Sequence, residues 1–204
     1  CIDLTKYLLQ HESNADYDIK TMVYHSQQVL LLRHQQEKYL DLVLKRREKP
    51  QEQPEAFNND IIRNHLKNCS NKNLIFILVA SPVEEVGRDH DFDWAVVEPS
   101  SYRSIIQISG RVRRHRTGEV TKPNIAIMQY NWRSFRAGDQ VHQRYFNRPG
   151  YEEKITLESH DLKKLINCDS ISKRLDAIPR IQKKTKLDYN RSLVDLEHFV
   201  TQSE

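Results

Sequence analysis

Continuous apolar runs alternate with amphipathic stretches along the chain. The run NLIFILVA, residues 73–80, is rich in β-branched side chains, which is typical of a strand that lies centrally in a parallel sheet with both faces covered. Residues 94–99 and 124–130 predict two further strands, and residues 19–26 predict a weaker one.

Helical spacing of apolar residues fills the intervals between these runs. It recurs over residues 27–48 and 56–69, and Ser100 or Ser101 is placed to cap a further helix that runs to Gly118. Strands that alternate with helices predict an α/β fold, with a mostly parallel sheet flanked by helices.

The chain becomes polar and turn-rich beyond Gly138 and then offers short helices such as ESHDLKKLIN. We therefore predict one domain over residues 1–137, followed by a linker and a partial, mostly helical C-terminal region over residues 138–204. This region is expected to pack on the sheet domain or to begin a neighbouring one. Because the chain starts at Cys1 rather than at a methionine, we expect a fragment of a longer protein.

Composition excludes several classes of protein. Hydrophobic residues make up 38% of the 204 positions, and no apolar run is long enough to span a membrane. The net charge of +4 arises from 32 basic and 28 acidic residues, so overall charge says little about nucleic acid. Three widely spaced cysteines predict neither a zinc site nor a disulfide framework, as in a reducing cytoplasm.

Local charge is more informative, because QISGRVRRHR gathers basic side chains over residues 107–116. If the helix continues through this run, Gln107, Arg111 and Arg114 share one face, and Gly110 leaves room for close approach. Paired guanidiniums suit phosphate oxygens. A solvated basic helix is the alternative interpretation.

The loop VASPVEEVGRDHDFD follows the central strand, so Ser81, Gly87 and Asp89 lie at the carboxyl end of that strand, where open α/β sheets bind ligands. Gly87 can adopt positive φ near a nucleotide, and Asp89 can accept from a ribose hydroxyl or orient an arginine. Taken singly, each is an ordinary loop residue.

The order of this loop, a strand and then Q-x-x-G-R-x-x-R resembles motifs V and VI of superfamily 2 helicases, and MVYHS is compatible with motif IV. The stretch VEEVGRDHDFDWAVVEPSSYRSIIQISGRVRRHR is similar to the CRISPR-associated helicase-nuclease of type I interference systems, especially its I-F form. The resemblance covers residues 19–130 and implies the second RecA-like lobe of a bacterial, cytoplasmic, ATP-dependent helicase that translocates on single-stranded DNA.

The resemblance also implies roles for single residues. Arg111 and Arg114 match the arginines that reach the ATP γ-phosphate, with Arg114 as the arginine finger, and Gln107 lies near the nucleotide. Gly87 and Asp89 match motif V, which links the nucleotide state to the bound strand.

Ser81 stands where many relatives have a threonine that touches a DNA phosphate, and Ser26 ends the motif IV stretch. Ile108 departs from the frequent Q-R-x-G-R-x-x-R form. Neither a G-x-x-x-x-G-K-[ST] loop nor a DExH box is present, so ATP and Mg²⁺ are expected to be bound mainly by a first lobe.

The partners implied by the resemblance are single-stranded DNA, an RNA-guided surveillance complex, the adaptation integrase and phage-encoded inhibitors. Motifs V and VI do not separate a DNA helicase from an RNA helicase lobe. A non-catalytic module that binds nucleic acid or protein is a further alternative.

Two other patterns have competing interpretations. The His-Asp pairs at His90 and His160 suggest a nuclease, because the family that the chain resembles binds nuclease metals through such a pair. Without further ligands we interpret them as chance dipeptides and predict no metal site, and the resemblance implies that the nuclease lies upstream of this chain. In YNWRSFR, Trp132 and Phe135 could stack on single-stranded bases, but their spacing favours packing against the core.

Overall fold

Strands alternate with helices, as the hydrophobic pattern predicts. The computed structural model describes residues 1–10, 16–47, 49, 51–70, 73–85, 88–116, 118–138, 143–146, 151–153, 155–172, 175 and 184–203. The strands in these ranges are β1 (Tyr17–Tyr24), β2 (Asn73–Ala80), β3 (Ala95–Val97) and β4 (Ile125–Ile127). The α-helices there are α1 (Ile2–Gln10), α2 (Leu30–Val43), α3 (Asp60–Asn68), α4 (Tyr102–Ser109), α5 (Trp132–Ala137), α6 (Leu162–Leu165), α7 (Cys168–Ser172) and α8 (Leu193–Ser203), and short 3-10 helices cover Glu55–Asn58 and Pro82–Glu85. None of these helices combines the length and the apolar composition that crossing a bilayer requires.

The two long strands, β1 and β2, pair in parallel. Tyr17 lies opposite Asn73, and Tyr24 lies opposite Ala80. A parallel pair needs a long crossover connection, which α2 and α3 provide. The bounds of β2 coincide with the predicted run, so that prediction is confirmed.

The two crossover helices are fixed in different ways. Helix α2 buries Leu40 and Val43 near its C-terminal end. Helix α3 begins after Asn59, whose side-chain oxygen accepts hydrogen bonds from the backbone N–H groups of Ile61 at 3.0 Å and Ile62 at 3.3 Å. This cap satisfies two of the donors that a helix N-terminus leaves without an intrahelical partner.

Strands β3 and β4 form a second parallel pair, from Ala95 opposite Ile125 to Val97 opposite Ile127. Val97 and the α4 residue Ile105 share a buried apolar cluster with residues of the C-terminal segment. Those residues include Leu162, Leu193 and Leu196. The C-terminal segment therefore packs on β3 and α4.

The chain forms two compact units. The first comprises residues 1–92 and 113–118, with β1 and β2, and the second comprises residues 93–112 and 119–204, with β3 and β4. The predicted boundary after residue 137 stays a prediction.

The sequence predicts a single sheet with residues 73–80 at its centre, but the described residues do not form one. They form two parallel sheets of two strands each. Phe76 on β2 is 46% exposed, so this strand is not covered on both faces. The prediction is wrong because an apolar run indicates that a strand is buried but does not indicate which element packs against it.

Helix α4 also ends well before the predicted end at Gly118. Its last residue is Ser109, and Arg113 has a φ of 54°, in the left-handed region that no α-helix contains. Arg111 and Arg114 therefore do not lie one helical turn apart on a shared face, and that prediction is wrong. The N-cap at Ser101 is confirmed, since its hydroxyl accepts from the backbone N–H of Ser104.

Candidate nucleotide and nucleic-acid site

The carboxyl ends of β1 and β2 bring two predicted nucleic-acid contacts together. The backbone N–H of Ser81 donates to the carbonyl of Tyr24 at 3.0 Å, which extends the pairing of the strands by one residue. The N–H of Ser26 donates to the Ser81 hydroxyl oxygen at 3.3 Å. Ser26 is exposed, and Ser81 is partly exposed beside it.

Asp89 gathers three basic side chains in the loop that follows β2. The Nε of Arg114 lies 3.0 Å from its Oδ1, and Nε2 of His115 lies 2.8 Å from the same oxygen. Arg47, just beyond α2, donates to the other oxygen. Burial acts to raise the pKa of Asp89, but the hydrogen bonds from His115 and Arg47 outweigh it and hold the pKa below its usual range.

Asp91, two residues further along, is fully buried and paired with Arg116. The Nη2 of Arg116 lies 2.7 Å from Oδ1, and its Nε donates to the same oxygen at 3.1 Å. The backbone N–H of His115 donates to Oδ2 at 3.1 Å. The N–H of Asp91 itself donates to the carbonyl of Leu44 at 2.9 Å, which ties the loop to the end of α2.

The basic run is therefore not a solvated helix. Arg114 and His115 pair with Asp89, and Arg116 pairs with Asp91. The acidic loop and the basic run are therefore one structural feature. Membership of His115, Arg116 and Asp91 in the site was not predicted from the sequence. The available signal was the opposite charge of RDHDFD and RVRRHR.

The N-terminus of α4 is capped twice. The Ser101 hydroxyl accepts from the N–H of Ser104 at 2.9 Å. The carboxylate of Glu197, on α8, accepts from the N–H groups of Tyr102 and, at 3.2 Å, Arg103. Burial raises the pKa of Glu197 to about 7, although these bonds favour the carboxylate. The C-terminal helix thus holds the start of the helix that carries Gln107.

The remaining predicted residues are placed as follows. Gln107 is exposed on α4, and Arg111, just after that helix, is only 5% exposed. Gly110 is the C-cap of α4 with a φ of −68°, so no positive φ requires a glycine there. Gln107, Gly110 and Arg111 belong to the second unit, whereas Asp89 and Arg114 belong to the first. Gly87 lies outside the described residues.

A hollow of about 270 Å³ opens beside Asp89. It is lined by Asp41, Lys45, Arg88, Asp89 and His90. Ligand pockets usually measure about 300–1,000 Å³, so this hollow lies below the usual range for a ligand such as a nucleotide.

The histidines of both His-Asp pairs bind carboxylates within the fold. His90 lies between Glu84, with Nδ1 and Oε1 2.6 Å apart, and Asp41, with Nε2 and Oδ1 2.9 Å apart. His160 lies 2.9 Å from Glu152.

The described ranges contain no group of three or more His, Cys, Asp or Glu side chains arranged to hold a metal ion. The sequence also lacks the glycine-rich loop that cradles the β- and γ-phosphates. The residues present therefore do not fit a cradle for ATP with Mg²⁺.

Comparisons with known proteins show the family of this chain. A family model described as "CRISPR-associated nuclease/helicase Cas3, C-terminal" matches residues 1–117. A relative from Pseudomonas aeruginosa, named CRISPR-associated nuclease/helicase Cas3 subtype I-F/YPEST, is 39% identical over 198 residues, which are 97% of this chain. A protein of the same name from Pectobacterium atrosepticum is 37% identical over 203 residues, 98% of the chain.

The chain spans about 18% of the length of each of these relatives. The resemblance seen in the loop after β2 and in the basic run is confirmed, because the alignments extend along nearly the whole chain. The chain therefore belongs to the family of the CRISPR-associated nuclease/helicase Cas3 and corresponds to its C-terminal part.

Proposed function

We propose that the chain is the second, RecA-like motor lobe of an ATP-dependent helicase that translocates on single-stranded DNA in CRISPR interference. The observation that carries this proposal is the contact between Arg114 and Asp89. It places the basic residue expected to reach ATP beside the loop at the carboxyl end of β2, where α/β sheets bind their ligands.

Arg114 fits the role of arginine finger better than Arg111. Its side chain is 41% exposed, so the guanidinium can reach a phosphate supplied by another lobe. Arg111 is only 5% exposed and cannot do so without rearrangement. A guanidinium that meets the γ-phosphate stabilises the charge that develops during transfer, which is worth about 10³–10⁵ in rate.

Asp89 gives this finger a defined position before nucleotide binds. An arginine held by one carboxylate keeps donors free in its planar fork, and those donors suit phosphate oxygens. Arg47 and His115 share the charge of Asp89, so Arg114 is not its sole partner and can turn toward ATP at lower cost.

Ser26 and Ser81 supply the contacts to the DNA backbone in this proposal. Such contacts read phosphates rather than bases, so binding should show little sequence preference and should weaken as salt rises. The full-length protein would act with an RNA-guided surveillance complex, and the adaptation integrase and phage-encoded inhibitors are further partners suggested by the family. ATP and Mg²⁺ would be held mainly by the first lobe.

The test is the ATPase activity of a full-length protein that contains this chain, measured with single-stranded DNA, with RNA and with neither. We expect DNA to stimulate hydrolysis and the Arg114→Ala variant to lose that stimulation while remaining folded. The matched control is Arg63→Ala, which breaks an exposed ion pair to Asp60 in the same unit. Stimulation by RNA alone would support an RNA helicase lobe, and no hydrolysis under any condition would support a non-catalytic binding module.

A further inference from the structure

Helix α5 presents a pair of aromatic rings to solvent. Trp132 is 54% exposed and Phe135 is 64% exposed, whereas Ser134 between them is fully buried. The two ring centroids lie 6.0 Å apart, with the ring planes inclined by 23°. The prediction that these rings pack against the core is therefore wrong, because the helix turns its serine inward and its aromatic side chains outward.

The backbone beneath these rings is held in place. The Asn131 side-chain oxygen accepts from the N–H of Ser134 at 2.8 Å, and its amide donates to the carbonyl of Tyr145 at 3.1 Å. The Glu98 carboxylate accepts from the N–H of Trp132 at 2.8 Å. At the other end, Gly138 closes the helix with a φ of 76°, which favours glycine. The rings thus stand on a preorganised support.

Two basic side chains flank the rings on α5, and the acidic Glu98 carboxylate nearby accepts from the Trp132 N–H. Arg133 and Arg136 lie on the same short helix and are both exposed. Aromatic faces next to guanidiniums are the combination that holds single-stranded nucleic acid, since the rings stack on bases and the cations meet phosphates.

We propose that Trp132 and Phe135 form a stacking platform for the bases of single-stranded DNA, with Arg133 and Arg136 contacting the adjacent phosphates. This inference rests on the proposed function and assigns part of the path of the strand. Duplex DNA keeps its bases stacked on one another, so only an unwound strand offers faces to these rings. The two arginines favour a polyanion over an apolar protein segment, because an apolar partner would leave both cations desolvated without counter-charge.

Fluorescence anisotropy of a full-length protein containing this chain tests the platform with two labelled probes. One is a single-stranded oligo(dT), and the other is an abasic strand of the same length, which has the same phosphates and no bases. The Trp132→Ala/Phe135→Ala variant should bind oligo(dT) roughly 5- to 140-fold more weakly for each stacked base lost. Its affinity for the abasic strand should stay at the wild-type value.

Two further variants separate stacking from charge. Arg133→Ala/Arg136→Ala should weaken binding of both probes and reduce the slope of log affinity against log salt by roughly 1 to 2. Trp94→Ala is the matched control, since Trp94 is 68% exposed but follows the acidic Asp93, and it should bind both probes like the wild type. Circular dichroism checks that each variant is folded.

If the folded Trp132→Ala/Phe135→Ala variant bound oligo(dT) with wild-type affinity, the stacking proposal would be wrong. The exposed rings would then favour a protein contact. Equal losses on oligo(dT) and on the abasic strand would overturn the stacking proposal too, because no base would then be involved. The proposed function fails on a different observation, namely wild-type ATP hydrolysis in Arg114→Ala, so the two outcomes are distinguishable.

Discussion

Asp91 shows what a single residue contributes to the loop after β2. Its carboxylate is fully buried and is compensated by Arg116 and by the N–H of His115. Local sequence patterns did not identify these partners, because they lie 24 or more positions away in the chain. By contrast, the cap at Ser101 could be predicted, since it depends on residues only three positions apart.

The Arg116→Ala substitution should lower the free energy of unfolding by about 3–5 kcal/mol, because it leaves a buried carboxylate without its charge partner. Urea denaturation of the chain measures this change. Arg63→Ala removes an exposed ion pair to Asp60 and should cost less than about 1 kcal/mol. Equal losses in the two variants would show that the pair with Asp91 does not stabilise the loop.

At the scale of elements, residues 73–80 could be predicted as a strand, because an unbroken apolar run fixes both ends of β2. The end of α4 could not be predicted in the same way. Helical spacing continues through the basic run, but ion pairs to Asp89 and Asp91 and the positive φ of Arg113 divert the chain after Ser109. The exposed position of the aromatic rings on α5 could not be predicted either, since the hydrophobic pattern shows which residues are apolar and not which face of the helix is buried.

The contact between α8 and α4 predicts a pH dependence. The pKa of Glu197 rises from its ordinary 4.5 to about 7 on folding, so the folded chain binds more protons than the unfolded chain between these values. The stabilising contribution of this group is therefore fully present at low pH and is lost as the pH rises toward 7. Glu197→Gln, which mimics the protonated form, lacks this dependence.

The free energy of unfolding of the wild type, minus that of Glu197→Gln, should thus fall by roughly 2–3 kcal/mol between about pH 5 and pH 8. Thermal or urea denaturation at a series of pH values gives this difference. A difference that stays constant with pH would show that burial does not raise the pKa of Glu197.

At the scale of the whole molecule, the chain offers arginines but no phosphate cradle. It lacks the G-x-x-x-x-G-K-[ST] loop, and its described residues hold no cluster of metal ligands. The 204-residue chain by itself should therefore hydrolyse no ATP above the rate of a buffer control. Steady-state phosphate release measures this, and turnover by the pure chain that survives Arg114→Ala would contradict the division of labour between two lobes.

Family membership followed from motifs that sit close together in the sequence, and the comparisons confirm it. The arrangement of the site required long-range contacts, above all those of Asp89 with Arg47, Arg114 and His115.

In the proposed mechanism, Arg114 leaves Asp89 to stabilise the γ-phosphate during hydrolysis. The most direct test is the single-turnover rate of ATP hydrolysis by a full-length protein containing this chain, with single-stranded DNA and saturating ATP. In Arg114→Ala this rate should fall by about 10³-fold or more while ATP affinity changes little, and Arg63→Ala should match the wild type. A folded Arg114→Ala variant whose rate stays within about tenfold of the wild type would contradict this role of Arg114.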